Sequence, residues 1–129
     1  MLAHIAVAVE DVHQATGIYS ALGFVAGEPE IIERENIRLV KVVRDGLCIE
    51  LIESYPAGAG SVARFIAKRG AGLHHIALSS TDLMNDLNRL GQSSIKVLPG
   101  YPAKGAAGSN VAFLDPRTTG GVLIELVEK

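Results

Sequence analysis

The chain has 129 residues, with 12 Lys and Arg against 14 Asp and Glu, 48% apolar residues and one cysteine. That length makes a single compact domain able to bury roughly two thirds of its unfolded surface; the lone Cys48 excludes an intramolecular disulfide and is expected as a small buried hydrophobe in a reducing setting. Interspersed charges, few aromatics and no apolar run near the roughly 20 residues of a bilayer span exclude nucleic acid and membrane as partners.

"MLAHIAVAVED" carries no basic leader, so a soluble, cytoplasmic protein is expected. Its apolar part, residues 2–9, is short enough to predict a buried strand. From Asp11 the spacing of Val12, Ala15, Ile18, Tyr19 and Leu22 predicts an amphipathic helix, with Asp11 as cap and Gly23 as stop. Residues 36–43 and 47–53 are rich in β-formers and flank an Asp-Gly turn, which predicts a hairpin. Residues 53–61 have the Gly, Pro and Ser content of a linker, and a short helix, "VARFIAKR", follows. "GLHHIALSS" reads as a strand, "TDLMNDLNRLG" as a helix capped by Thr81 or Asp82, "GYPAKGAAGS" as a loose loop, and "NVAFLD" and "GVLIELVE" as closing strands.

The two halves repeat each other. "AHIAVAVEDV" aligns with "HHIALSSTDL", pairing His4 with His75 at an offset of 71 residues, and "GLCIELIES" aligns with "GVLIELVEK", pairing Glu50 with Glu125 at an offset of 75. One duplicated module is implied, about 1–54 and 72–129, joined by a linker and short helix over 55–71, with the roughly four extra residues of the second copy expected in the glycine-rich loop.

His4, Glu50, His75 and Glu125 therefore recur in register. A charged carboxylate buried on an apolar strand costs several kcal/mol unless it is paired or binds a cation. Two imidazoles and two carboxylates suit a first-row divalent ion with positions left open for substrate. Strand alternation sends His74 to the face opposite His75. His13 has no counterpart and reads as helix surface, and Glu53 and Glu128 read as solvated strand-end caps.

With "HIAVAVED", "SVARFIAKRGAGLHHIAL", "VAFLDP" and "TGGVLIELVE", these residues resemble, over essentially the whole chain, the vicinal oxygen chelate (glyoxalase/bleomycin resistance/dioxygenase) superfamily, and within it the methylmalonyl-CoA epimerases. "KRGxGLHHIA" is the most specific block. The resemblance implies an α+β fold of two tandem βαβββ modules forming a curved mixed sheet around a metal site. It places metal ligands on His4, Glu50, His75 and Glu125, and implies one divalent ion per chain (Co, Mn, Ni or Zn), an acyl-CoA substrate and a homodimer. The ion is expected to be chelated by the substrate's thioester carbonyl and carboxylate, stabilising the enolate left by proton removal between them. Inversion then needs a base and an acid on opposite faces. Glu125 is the first carrier implied, with Lys41, Glu33 and Glu35 as candidates for the second.

The chain departs from the family pattern at Asp115-Pro116-Arg117, where epimerases usually read His-Pro-Lys, and at Leu39, nearest the position where some carry a non-ligand acid. Lys68, Arg69, Lys104 and Arg117, the cations available for CoA phosphates, read as solvated surface charges. A glyoxalase I type lyase uses closely related chemistry and is the alternative enzyme. A metal-free small-molecule binding module of the same fold is the alternative of another class, although its ligand positions would normally be lost.

Overall fold

In the computed structural model, which describes residues 1–129, the opening apolar run is strand β1 (Leu2–Ala8) and Asp11 caps the helix after it, α1 (Val12–Ala21). The Asp11 carboxylate accepts from the amides of His13 (2.8 Å) and Gln14 (3.2 Å), donors that a helix start leaves without internal partners. Two short strands, β2 (Val25–Ala26) and β3 (Glu30–Ile32), precede β4 (Ile37–Arg44), β5 (Leu47–Ser54) and α2 (Gly60–Arg69). The second half runs β6 (Gly72–Ser80), α3 (Leu83–Gln92), β7 (Ala103–Lys104), β8 (Asn110–Leu114) and β9 (Ile124–Glu128). The chain divides into two compact units, one of His4–His74 and the other of Met1–Ala3 with His75–Lys129. The fold class is α+β.

In the first unit the sheet order is β2-β4-β5-β1, with β3 also on β4. β1 runs parallel to β5 and β4 antiparallel to it. The hairpin is as tight as its sequence requires: Arg44 faces Leu47, and the two turn residues Asp45 (φ 50°) and Gly46 (φ 79°) both take the left-handed conformation that matches strand twist. Val40, Val42 and Leu51 project onto Val12 and Ala15 of α1, with Val7, Val9, Tyr19, Phe24 and Ile49 closing the layer. Each Val or Leu buried there contributes about 1.5–3 kcal/mol. The alternate positions, His4 and Ala6 of β1, Lys41 of β4 and Glu50 of β5, lie on the sheet face turned away from that helix, because side chains alternate along a strand.

The second unit repeats this plan with order β6-β9-β8-β7, β6 parallel to β9 and the rest antiparallel. Leu83, Leu87 and Leu90 of α3 pack on Leu78, Ala112, Leu114, Ile124 and Leu126. On the face away from α3, Ala77, Val111 and Val127 cluster with Ala3 and Tyr101.

Several expectations need correction. The apolar stripe of α1 is only partly covered, since Ile18 (58%) and Leu22 (54%) are exposed. Cys48 is half-buried rather than in the core, sitting one residue into β5 next to the hairpin turn. α2 begins at Gly60, two residues before its apolar run, and the last strand begins only at Ile124. The extra residues of the second copy are mostly not in the glycine-rich loop. Lys41 faces Glu50 and Phe113 faces Glu125, so the offset is still 72 on the middle strands and reaches 75 only on the last ones. Three of the extra residues therefore lie between β8 and β9, where a nine-residue connection over 115–123, containing the 3-10 turn Pro116–Thr118, stands in place of the two-residue turn.

Candidate functional site

The first unit brings His4 and Glu50 together. β1 and β5 are neighbours with Ala6 beside Glu50, and His4 is two residues along on the same face. Its Nε2 lies 3.4 Å from Glu50 Oε1, and both residues are buried, at 7% and 6% exposure. Directly across β4, Lys41 Nζ lies 4.0 Å from Glu50 Oε2, with its side chain 40% exposed. This carboxylate therefore has an imidazole on one side and a half-solvated ammonium on the other.

His75 and Glu125 stand together in the second unit, His75 Nε2 lying 3.2 Å from Glu125 Oε1, at 8% and 7% exposure. Phe113, across from Glu125 on β8, meets the His75 ring edge-on with centroids 5.0 Å apart, and Tyr101 meets Phe113 at 5.2 Å. Aromatic walls of this kind fix an imidazole's orientation while keeping water away from it. Each of the four sequence-predicted residues is thus buried against the repeat-related partner type within its own unit. Each pair thus offers an imidazole nitrogen and a carboxylate oxygen, donors of the kind a first-row divalent ion takes, and a buried carboxylate is stabilised by such a charge.

His74 behaves differently from His75. Its ring packs edge-on against Phe65 of α2, centroids 4.8 Å apart. His13 is exposed on α1. Of the three second-carrier candidates only Lys41 shares the strand face of Glu50; Glu33 and Glu35 fall in a 3-10 turn, Glu33–Glu35, rather than on a strand. Leu39 lies on the Lys41 face and is buried at 2% exposure. Arg117 is largely exposed but is held by Asp115, whose carboxyl the guanidinium, and then the Arg117 amide, keep below the usual range. Arg69 lies 5.8 Å from the Phe65 ring centre.

Glu53 and Glu128 are not solvated caps. Glu53 is 6% exposed; its Oε1 accepts the Val12 amide at 2.7 Å, and Oε2 is bound by Arg38, which stacks over Tyr55 at 4.8 Å. Glu128 does the equivalent: Oε2 accepts the Leu83 amide at 2.9 Å and Oε1 the Asn110 side-chain amide at 2.9 Å. Those two bonds, Asn110's first, hold its carboxyl below the ordinary range. In both units the last strand thus grips the first residue of the helix that follows the first strand. The signal was in the sequence, because Glu53 and Glu128 repeat at the same offset of 75 as Glu50 and Glu125.

Comparison with known proteins agrees with this plan. The model of the Glyoxalase/Bleomycin resistance protein/Dioxygenase superfamily matches residues 3–113. An ethylmalonyl-CoA/methylmalonyl-CoA epimerase of Cereibacter sphaeroides is 35% identical over 129 residues, which cover 97% of this chain and 95% of that protein. The crystal structure of methylmalonyl-CoA epimerase from Mycobacterium tuberculosis matches with a TM-score of 0.92 at 32% identity, over 98% of this chain and 86% of that one. A variant methylmalonyl-CoA epimerase of Streptomyces coelicolor, in complex with 2-nitronate-propionyl-CoA, matches with a TM-score of 0.93 at 29% identity, over 100% of this chain and 94% of that one. No helix is long and apolar enough to cross a membrane. The chain belongs to the Glyoxalase/Bleomycin resistance protein/Dioxygenase superfamily and, within it, to the methylmalonyl-CoA epimerase family.

Proposed function

We propose that the protein is a metal-dependent epimerase of methylmalonyl-CoA, in which His4, Glu50, His75 and Glu125 hold one divalent ion per chain. The observation that carries this reading is the pair of buried imidazole and carboxylate couples at repeat-related positions, 3.4 Å and 3.2 Å apart. When bound, the ion supplies positive charge beside the oxygens on which charge develops as the proton leaves.

The chain's own residues do the rest. The carboxylate of Glu125, in its surround of Phe113 and His75, takes the proton from C2 of the substrate, and the C–H electron pair moves onto the thioester carbonyl. Reprotonation on the opposite face restores the C–H bond with inverted configuration. Phe113 and Tyr101 keep bulk water from the His75 and Glu125 pair, so the abstracted proton is not lost to solvent on that side. The same reading treats residues 1–129 as one vicinal oxygen chelate domain of two repeats, acting as a cytoplasmic homodimer on an acyl-CoA.

The test is turnover of methylmalonyl-CoA in deuterated buffer by protein stripped with chelator and reloaded with cobalt. Deuterium should appear at C2 of the inverted product, and the hemithioacetal of methylglyoxal and glutathione should not be turned over. The opposite substrate preference makes the protein a glyoxalase I type lyase, and inertness toward both, with no metal taken up, makes it a binding module.

A further inference from the structure

The grip of Glu53 and Glu128 has no role in the reaction just described, and it lies in the same place in both units. Glu53 follows Glu50 by three residues on β5, and its acceptor bond ends on Val12, eight residues after His4. Glu128 follows Glu125 by three on β9, and its bond ends on Leu83, eight residues after His75. The other carboxylate oxygen is held from the neighbouring antiparallel strand, by Arg38 of β4 in one unit and Asn110 of β8 in the other.

A helix start alone does not call for this arrangement. Asp11 already accepts the amides of His13 and Gln14, and Asp82 that of Asn85, so both helices have conventional side-chain caps. What the additional carboxylate does is close a ring. The ring runs from the histidine strand through its turn to the first helical amide, across to the carboxylate, and back along the last strand to the glutamate of the pair. Parallel neighbours such as β1 and β5 are joined by no short turn that would set their register. A slip of one residue would send Glu50 or Glu125 to the helix-covered face.

We infer that Glu53 and Glu128 are positioning residues, each fixing the register in which the histidine and glutamate of its unit meet, and so setting the affinity of the chain for its divalent ion. This rests on the metal reading given above.

The experiment uses the full chain, stripped of metal and titrated with Co2+ against a chromophoric chelator, while the visible absorption of bound Co2+ is recorded. Glu53→Gln, Glu53→Ala, Glu128→Gln and Glu128→Ala are compared with wild type and with Val62→Ala, a change at a buried α2 residue outside both rings. Each Glu→Ala change should weaken Co2+ binding roughly 10- to 100-fold, the range for residues that orient metal ligands, and should alter the absorption bands. Glu→Gln, which keeps an acceptor for the helix amide, should fall between Ala and wild type. Val62→Ala should lower the thermal midpoint and leave Co2+ affinity and spectrum unchanged. If an Ala variant does not fold, its Gln partner decides. Wild-type Co2+ affinity and spectrum in folded Glu53 and Glu128 variants would overturn the inference and leave the metal reading standing. A wild-type chain that binds no Co2+ would overturn both.

Discussion

The residue that faces each site glutamate across the sheet differs between the two units: Lys41 opposite Glu50, Phe113 opposite Glu125. The backbones around them match, with parallel first and last strands, an antiparallel middle strand and a helix on one face. One pair therefore sits beside a half-exposed cation and the other against an apolar ring that also orients its histidine. A duplicated scaffold conserves where donors stand; the side chain one strand over sets the solvent and charge around them. The Lys41 side sets a positive charge beside its glutamate, and the Phe113 side sets an apolar ring beside its own.

The largest effect is expected from the pairs themselves. His75→Ala should lower cobalt affinity by more than the roughly 100-fold that marks the upper range for outer positioning groups, with epimerase activity falling in parallel. His4→Ala should do the same in the other unit. His74→Ala, which loses the ring contact with Phe65 on the opposite strand face from His75, should keep both metal and activity. Metal content by elemental analysis beside turnover decides this; loss of metal from the His74 variant with retention in the His75 variant would reverse the strand-face assignment.

That assignment shows what the sequence could and could not convey. The repeated His and Glu were legible because duplication places them at matching offsets and because a carboxylate inside an apolar strand is costly to leave without a partner. The hairpin was legible because Asp45-Gly46 suits only a narrow set of turns. Glu53 and Glu128 were misread because their partners are the amides of Val12 and Leu83, 41 and 45 residues away in the chain, and nothing local separates such a carboxylate from a solvated one. β2, β3 and β7, at two or three residues each, are too short to carry an alternating pattern. The exposure of Ile18 and Leu22 shows the complementary limit: periodicity identifies the apolar stripe of a helix, while the breadth of the sheet beneath decides how much of it is covered.

The next effect separates the two units by stability. Phe113 is buried at 7% exposure and wedged between His75 and Tyr101, so Phe113→Ala removes a large side chain from a site with little freedom to collapse. A loss of about 3–5 kcal/mol is expected. Lys41→Met should change stability by less than about 1 kcal/mol, since the ammonium end of the pair is half-exposed and the buried Glu50 keeps His4 as a partner at 3.4 Å. Its effect on metal has the opposite sign: removing an ammonium 4.0 Å from Glu50 takes away a competing charge. Cobalt affinity should rise by up to about fivefold, the equivalent of about 1 kcal/mol, and the gain should shrink in high salt. Urea unfolding and cobalt titration of both variants test this. Equal destabilisation by the two changes would mean that the units are not differently built around their glutamates.

The smallest effect concerns acid. In the second unit Asp86, Asp115 and Glu128 are all held below the usual carboxylate range, Asp86 chiefly by the Ser80 hydroxyl, Asp115 by Arg117 and Glu128 by Asn110. For a carboxyl whose folded value is depressed, the unfolded chain binds more protons between the folded value and the unfolded one of about 4.3. The stabilisation is thus present in full above about pH 5 and is lost as pH falls through the folded value. Glu128→Gln removes one of these titrations while keeping an acceptor for the Leu83 amide. Wild type should exceed the variant in urea midpoint at pH 7, and the gap should narrow steadily as pH is lowered from 5 toward 3. Asp86 and Asp115 titrate in both proteins, so both lose stability on the way down, and only the difference between them reports Glu128. A gap that stays constant with pH would mean that its carboxylate is not bound through charge to Asn110 and Leu83, and that the second unit's grip is one of shape alone.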